Sequence, residues 1–299
     1  MQTVVTCQAR SVVNRREGTN PPLVSVELVS QGESSTLDVL ESIAAQTLKD
    51  VEVILADSSE SPEFSSQLSS RVTTRVRLPP SARLFRAREY CHRPAKGSFC
   101  LLLDATRSLK PTCLETLVRH HTTSDMVTVR EESISQSRWA ELARIDKQVT
   151  FGPAERGRDV ALLGGTILPR FFRKDVLDSA FSCLASIVPT DVLDRVLYGD
   201  HHLIFAAASR CGFKSAVEPT PLVLHVEDQT IAQTIRKYAR YGRSFPVIRE
   251  IPVLDEVGRL RPHQRSFTTE DARLRWQILP LQAVRALSFL TGYFWGAVG

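Results

Sequence analysis

The stretch Val51-Glu52-Val53-Ile54-Leu55-Ala56-Asp57 decides the fold class, because a short and mostly apolar run ends in an acidic residue. Phe99-Cys100-Leu101-Leu102-Leu103-Asp104 repeats the pattern, and residues 23–29 form a further apolar run. Residues 34–46, which lie before the first of these acidic ends, carry apolar side chains at helical spacing. Strands that alternate with helices predict an α/β fold with a mostly parallel central sheet flanked by helices.

Asp57 and Asp104 end two of the predicted strands. Ligands of such sheets bind beyond the carboxyl ends of the strands, so both carboxylates should lie at the ligand-binding edge. The alternative is that each acid only caps the turn that follows it. Their equivalent positions favour a ligand site.

Composition and charge exclude several classes of protein. The chain has 299 residues, 42% of them hydrophobic and 24% charged, with a net charge of +5. This charge suits phosphate-bearing ligands or an anionic membrane surface, and it is too small to indicate nucleic acid. Residues 1–20 are polar and contain no apolar signal segment, which predicts an irregular leader and a cytoplasmic protein.

The segment Trp276–Gly299 differs from the rest, because Arg285 is its only charged residue. Pro280 and two glycines interrupt it, so we expect an apolar or amphipathic helix that does not span a membrane. Two interpretations stay open. The helix either lies in the interface at the inner face of the cell membrane, with aromatic rings among the headgroups, or packs on the core or on a second subunit. We assign residues 246–299 to a C-terminal extension.

Three consecutive segments carry a resemblance to a known family: Val24–Ser30, Leu37–Thr47 with its Ser-Ile-x-x-Gln-Thr ending, and Val51–Ser59. Together with later motifs, these segments resemble family 2 glycosyltransferases from about residue 22 to 245. The resemblance implies a GT-A fold over residues 21–245, with a nucleotide half at about 21–130 and an acceptor half at about 131–245. It also implies inverting transfer of a sugar from a nucleotide-sugar donor.

The resemblance implies a donor site at the first strands. Asp57 would accept a hydrogen bond from a uracil or guanine ring, and the backbone loop at Val29, Ser30 and Gln31 would hold the nucleoside of a UDP- or GDP-sugar. Arg88, in Ala87-Arg88-Glu89, would lie near the donor phosphates and offer them a planar fork. The alternative for Arg88 is a solvated residue of a basic helix.

The segment Leu101–Arg107 matches the metal motif of that family, normally Asp-x-Asp, but Thr106 replaces its second aspartate. The resemblance therefore leaves two predictions. Asp104 and His225 could hold Mn²⁺ or Mg²⁺ with the diphosphate. Alternatively, Arg107 could neutralise the diphosphate without a metal.

Two further motifs complete the resemblance. Asp200, at the start of a predicted helix, would be the general base that deprotonates the acceptor hydroxyl; alternatively it is an acid favoured by the helix dipole. Gly164-Gly165-Thr166 would form the acceptor-side loop. The acceptor is expected to be a glycan or a polyprenyl-linked saccharide at a membrane surface, as in cell-surface polysaccharide or glycoconjugate biosynthesis.

Two rival functions remain at the level of sequence. Thr106 and the single acid at Asp200 would also fit a degenerate family member that binds a nucleotide sugar or a partner without turnover. A nucleotidyltransferase ranks last, because Gln31-Gly32-Glu33-Ser34 supplies only one glycine to a phosphate loop.

Overall fold

The described strands form one mixed sheet. The computed structural model describes residues 11–13, 21–59, 61–79, 82–120, 123–151, 169–251 and 269–297. The strand order is β1-β4-β3-β2-β5-β8-β7-β9-β6. The bounds are β1 Ser11–Val13, β2 Val24–Ser30, β3 Val51–Asp57, β4 Thr74–Arg77, β5 Phe99–Asp104, β6 Arg107–Leu109, β7 Met126–Ile134, β8 Pro169–Arg173 and β9 Ser215–Val226.

The centre of the sheet is parallel. Strands β4, β3, β2 and β5 run in one direction, and their register pairs Ser30 with Asp57 and Val29 with Asp104. The ends of β2, β3 and β5 therefore meet at one edge. Antiparallel pairings join β8 to both β5 and β7, while β7 and β9 pair in parallel. The predicted α/β fold with a central parallel sheet is confirmed.

Helices cover both faces of the sheet. One apolar core lies between the sheet and the helices α3, α6, α7 and α8, and the other lies under α1, α2 and α4. The helix bounds are α1 Thr36–Ala44, α2 Pro62–Ser69, α3 Leu84–His92, α4 Cys113–His120, α5 Arg138–Phe151, α6 Lys174–Ile187, α7 Thr190–Arg195, α8 Asp200–Arg210, α9 Ile231–Arg249 and α10 Thr269–Ala297.

Three short strands were not predicted from the sequence. Strand β1 lies in the expected irregular leader and pairs antiparallel with β4, while β6 pairs with β9 and β8 inserts next to β5. Strands of three to five residues contain too few side chains for an alternating pattern to stand out. They are stabilised by partners that are distant in sequence.

Helix α9 contains Gly242 and continues beyond it to Arg249. A Cβ atom on Gly242 would lie 2.0 Å from the carbonyl oxygen of Phe289 in α10, and one on Gly292 would lie 1.9 Å from that of Ala239 in α9. The glycines therefore let two helices pack backbone against backbone. The expected domain boundary at residue 245 lies inside this helix.

Helix α10 packs with one face on the rest of the protein. Ile278 joins Ile145 and Val149 of α5 in a small apolar cluster, and the Arg285 guanidinium donates to Asp146. This face agrees with the expectation that the C-terminal helix packs on the core. Within the described part of the chain, no helix combines the length and hydropathy that crossing a bilayer requires.

We predict that Gly292→Ala destabilises the protein although alanine favours a helix. The added methyl group would collide with the backbone of α9, and overpacking costs about 1–3 kcal/mol against about 1 kcal/mol gained in helix propensity. Urea unfolding should show a lower free energy of unfolding than for the wild type. The neighbouring exposed Thr291→Ala is the matched control and should change little; a G292A protein as stable as T291A would contradict the close contact.

Candidate functional site

The candidate site is organised around the guanidinium of Arg88, a residue of α3 with 0% exposure. Its Nε donates to Oδ2 of Asp200 at 2.9 Å, its Nη1 donates to the carbonyl oxygen of Leu103 at 2.5 Å, and its Nη2 donates to Oδ1 of Asp104. Asp104 ends β5 and Asp200 begins α8. Arg88 thus brings together two acids, Asp104 and Asp200, that lie 96 residues apart in sequence.

The second oxygen of Asp104 also accepts from arginines. Its Oδ2 lies 2.5 Å from Nη1 of Arg107 and 3.3 Å from Nη1 of Arg170. Burial by itself raises the pKa of Asp104, but Arg88, Arg107 and Arg170 outweigh burial and hold that pKa well below its usual range. Asp104 is therefore an ionised carboxylate surrounded by three cations.

Glu131 of β7 closes the cluster from the other side. Its Oε1 accepts from Nε of Arg107 at 2.7 Å and from Nε of Arg170 at 3.0 Å. Burial raises the pKa of Glu131, and the two arginines then lower it well below its usual value. Arg107 and Arg170 are consequently held side by side between two carboxylates, Asp104 and Glu131.

The tautomer of His201 follows from its partners. Its Nε2 lies 3.0 Å from Nη1 of Arg170 and 3.2 Å from Nη2 of Arg88, and guanidinium groups only donate. Nε2 is thus an acceptor, and Nδ1 carries the proton but has no partner among the described residues. Burial, opposed by Asp200, lowers the pKa of His201 to about 3, so the ring is neutral at pH 7.

His225 lies on β9 opposite Arg107. Its Nδ1 lies 2.7 Å from Nζ of Lys147 in α5 and 3.1 Å from Oε1 of Glu227, so this ring nitrogen is engaged within the protein. Burial and the neighbouring Arg107 lower the pKa of His225 to about 4. Lys147 also pairs with Glu227 at 2.5 Å.

The predicted nucleoside residues lie at the same sheet edge. The Asp57 carboxylate accepts from the backbone N–H of Ser59 at 2.9 Å, from the Ser59 hydroxyl at 3.0 Å and from Arg75, and it is fully buried. Ser30 is buried as well, and its carbonyl oxygen accepts from the N–H of Ser58 at 3.1 Å. Val29 is buried, while Gln31 is exposed.

The structure thus brings together Arg88, Asp104, Arg107 and Asp200, and it places His225 beside them through Glu131. Gly164, Gly165 and Thr166 lie outside the described residues. Sequence reasoning missed Arg170, Glu131, Lys147 and His201. One signal could have identified Arg170: it is a charged residue directly before two large apolar residues, in Arg170-Phe171-Phe172.

A second buried cluster contains Glu27, His92 and Cys100, whose potential metal-ligating atoms lie within 4.8 Å of one another. His92 Nδ1 lies 2.8 Å from Glu27, and its Nε2 lies 2.9 Å from Asp178. Burial lowers the pKa of His92, but the two carboxylates raise it above its usual value, and burial keeps the pKa of the Cys100 thiol high. Metal binding needs a neutral imidazole and a thiolate, so these contacts fit an imidazolium bridge better than a metal site.

The architecture is an α/β fold of the GT-A kind, with charged residues at the carboxyl ends of parallel strands. Residues 30–173 match the model of the family described as Glycosyl transferase family 2. The matched stretch covers just under half of the 299 residues of the chain.

Solved structures share the fold. Residues 1–349 of Staphylococcus aureus TarS, in complex with UDP, match at a TM-score of 0.51 and 13% identity, covering 90% of this chain and 88% of that chain. The mannosyltransferase PcManGT of Pyrobaculum calidifontis, in complex with GDP-Man and Mn²⁺, matches at 0.50 and 16%, covering 94% and 87%.

A longer TarS chain is covered over 54% of its length, so this chain spans about half of that protein. No curated protein matches the sequence. At such identities the likeness to solved structures shows the fold alone.

We predict that His92 makes a contribution to stability that is lost as pH rises, and that His92→Gln removes this contribution. The pKa of His92 is raised in the folded state, so its contribution is complete below the unfolded value of about 6.5 and is lost as pH rises through the folded value. Urea unfolding at about pH 6 and about pH 9 measures the effect. His202→Gln is the control, because burial lowers the pKa of His202 and gives its contribution the opposite sign. An identical pH response in H92Q and wild type would rule out the imidazolium bridge.

Proposed function

We propose that the protein transfers a sugar, with inversion, from a UDP- or GDP-sugar to a hydroxyl group of a glycan or lipid-linked saccharide. One observation carries the proposal: Asp104 and the arginines around it, inside the stretch that matches family 2, converge with Asp200 near the carboxyl ends of the central strands. The fold neighbours bind UDP and GDP-Man, which supports these donor classes.

In this proposal the donor lies along the edge formed by β2, β3 and β5. Its nucleoside would lie against Val29, Ser30 and Gln31, of which Gln31 is exposed. A base N–H would reach the Asp57 carboxylate by taking the place of Arg75 or Ser59, which occupy it in the structure. The diphosphate would lie at Asp104 and Arg107, whose side chains are 26% and 15% exposed.

Asp200 is the proposed general base. Burial raises its pKa, but the charge of Arg88 and the hydrogen bond from its Nε lower it, so the carboxylate is ionised at neutral pH and can accept a proton. The acceptor O–H would give its proton to Asp200 while its oxygen attacks the anomeric carbon. The bond from that carbon to the phosphate oxygen breaks on the opposite face, and the nucleoside diphosphate leaves.

We also propose that the acceptor is met at the cytoplasmic face of an anionic membrane. Helix α10 carries an exposed apolar stripe at positions three or four residues apart, opposite the face that packs on α5 and α9. A helix that is apolar on both faces is expected where one face meets lipid or protein. The stripe consists of Trp276, Leu279, Ala283, Leu287, Leu290 and Phe294.

Exposed charge beside the stripe favours lipid over a second apolar surface. Helix α9 exposes Arg236, Arg240 and Arg243, together with Ile231 and Ile235. The Arg243 guanidinium lies 5.4 Å from the centre of the Trp295 ring. Basic side chains that flank an apolar helix face suit anionic headgroups.

We predict that Asp200→Asn abolishes catalysis and retains donor binding. Loss of a general base lowers rates by about 10²–10⁴-fold. Release of UDP from UDP-GlcNAc and of GDP from GDP-Man measures turnover, and calorimetric titration with UDP and GDP measures binding. Asp191→Asn, at a largely exposed acid, is the matched control.

Full activity of D200N would remove Asp200 as the base. Nucleotide binding by the wild type without any turnover would favour a degenerate binding protein, which is the second candidate. That candidate is motivated by the arginine partners of Asp57, Asp104 and Asp200.

We predict that the double change Leu287→Gln and Leu290→Gln weakens binding to vesicles that contain an anionic phospholipid. Burying a leucine side chain contributes about 1.5–3 kcal/mol, so the loss should reach about tenfold or more in a sedimentation assay. Gln277→Ala, at an exposed polar position of the same helix, is the control and should bind like the wild type. Vesicle binding that survives the double change, or a wild-type dimer that the change converts to a monomer, would contradict the membrane proposal.

A further inference from the structure

We propose that this glycosyltransferase binds the diphosphate of its donor with the guanidinium groups of Arg107 and Arg170, without a divalent cation. The inference rests on the proposed function, because the donor diphosphate is the ligand. In this arrangement Asp104 is a positioning residue: it orients Arg107 and Arg170 and does not ligate a metal ion.

The carboxylate that should hold a cation is already neutralised. Asp104 accepts from Arg88, Arg107 and Arg170, which occupy three of the roughly four lone-pair sites of a carboxylate. Mg²⁺ and Mn²⁺ are held by oxygens whose negative charge is not otherwise compensated. Three guanidinium groups around one carboxylate disfavour a further cation there.

The other predicted ligands do not complete a metal site. Thr106 stands where a second carboxylate would be, and its carbonyl oxygen accepts from the N–H of Val226 at 3.1 Å. Nδ1 of His225 is engaged by Nζ of Lys147 at 2.7 Å and by Oε1 of Glu227 at 3.1 Å, and the Lys147 ammonium places a further positive charge beside this ring. The residues at this edge thus do not fit a divalent cation.

The same arrangement leaves donors for an anion. In both Arg107 and Arg170, Nε donates to Glu131 and Nη1 donates to Asp104. Nη2 of each arginine makes no hydrogen bond within the part of the chain that the structure describes. Burial and the neighbouring Arg107 lower the pKa of Arg170, because two positive charges lie side by side away from water. A diphosphate would supply that charge and accept from both forks.

Arg88 has a different role from these two. All three of its donor nitrogens are used within the protein, and its side chain is 0% exposed, so it fixes Asp104 and Asp200 and does not reach a phosphate.

The test is calorimetric titration of the purified full chain with inorganic pyrophosphate, UDP and GDP, in EDTA and then in Mn²⁺. We expect pyrophosphate and one nucleotide to bind in EDTA, with a dissociation constant that Mn²⁺ changes by less than about threefold. Arg107→Gln and Arg170→Gln should each weaken binding by about 10- to 100-fold, as expected for a charge-assisted hydrogen bond. Arg173→Gln, at an exposed arginine of the same strand as Arg170, is the matched control.

Two further variants separate binding from folding. Arg107→Lys and Arg170→Lys keep the charge and lose the fork, so they should unfold at the same urea concentration as the wild type and still bind at least about tenfold more weakly. Binding that requires Mn²⁺ would overturn the inference and leave the proposed transferase function intact.

The remaining outcomes are also decisive. Absence of any pyrophosphate or nucleotide binding in EDTA, or full affinity in the arginine variants, would likewise overturn the inference. Pyrophosphate binding that depends on Arg107 and Arg170, without binding of UDP or GDP, would support it and refute the proposed donors.

Discussion

The arrangement of the site depends on one buried cation. Arg88 has no exposed surface, and burying a guanidinium is costly unless every donor finds an acceptor. Its acceptors come from two elements: Asp104 and the backbone of Leu103 at the end of β5, and Asp200 at the start of α8. The position of α8 relative to the sheet, and with it the distance between Asp104 and Asp200, is therefore tied to one side chain of α3.

Around Arg88 the charges alternate. Asp104 and Glu131 each form ion pairs with both Arg107 and Arg170. Lys147 pairs with Glu227 and extends the network to His225. Such a network keeps its acids ionised and its histidines neutral, because each charge is set by its neighbours. The chemistry of the site consequently belongs to the cluster as a whole, and an incoming phosphate would have to exchange partners with it.

The sequence predicted the elements whose residues interact locally or repeat a strong pattern. The apolar runs that end at Asp57 and Asp104 placed both acids at one sheet edge, and Asp200 was placed at a helix start. Arg170 and Glu131 could not be predicted, because β8 and the second half of β7 are strands through pairing with residues far away in sequence. The close packing of α9 on α10 could not be predicted either, because the glycine that permits it, Gly242, meets a residue far away in sequence.

The arginines of this protein belong to two groups with different surroundings. Those of the site are enclosed by carboxylates and shielded from solvent, whereas Arg236, Arg240 and Arg243 of α9 face water. Dissolved ions screen exposed charges over about 8 Å at physiological ionic strength and screen buried pairs far less. Ionic strength therefore weakens the field of the exposed arginines of α9 while the charge balance within the buried cluster around Arg88 stays constant.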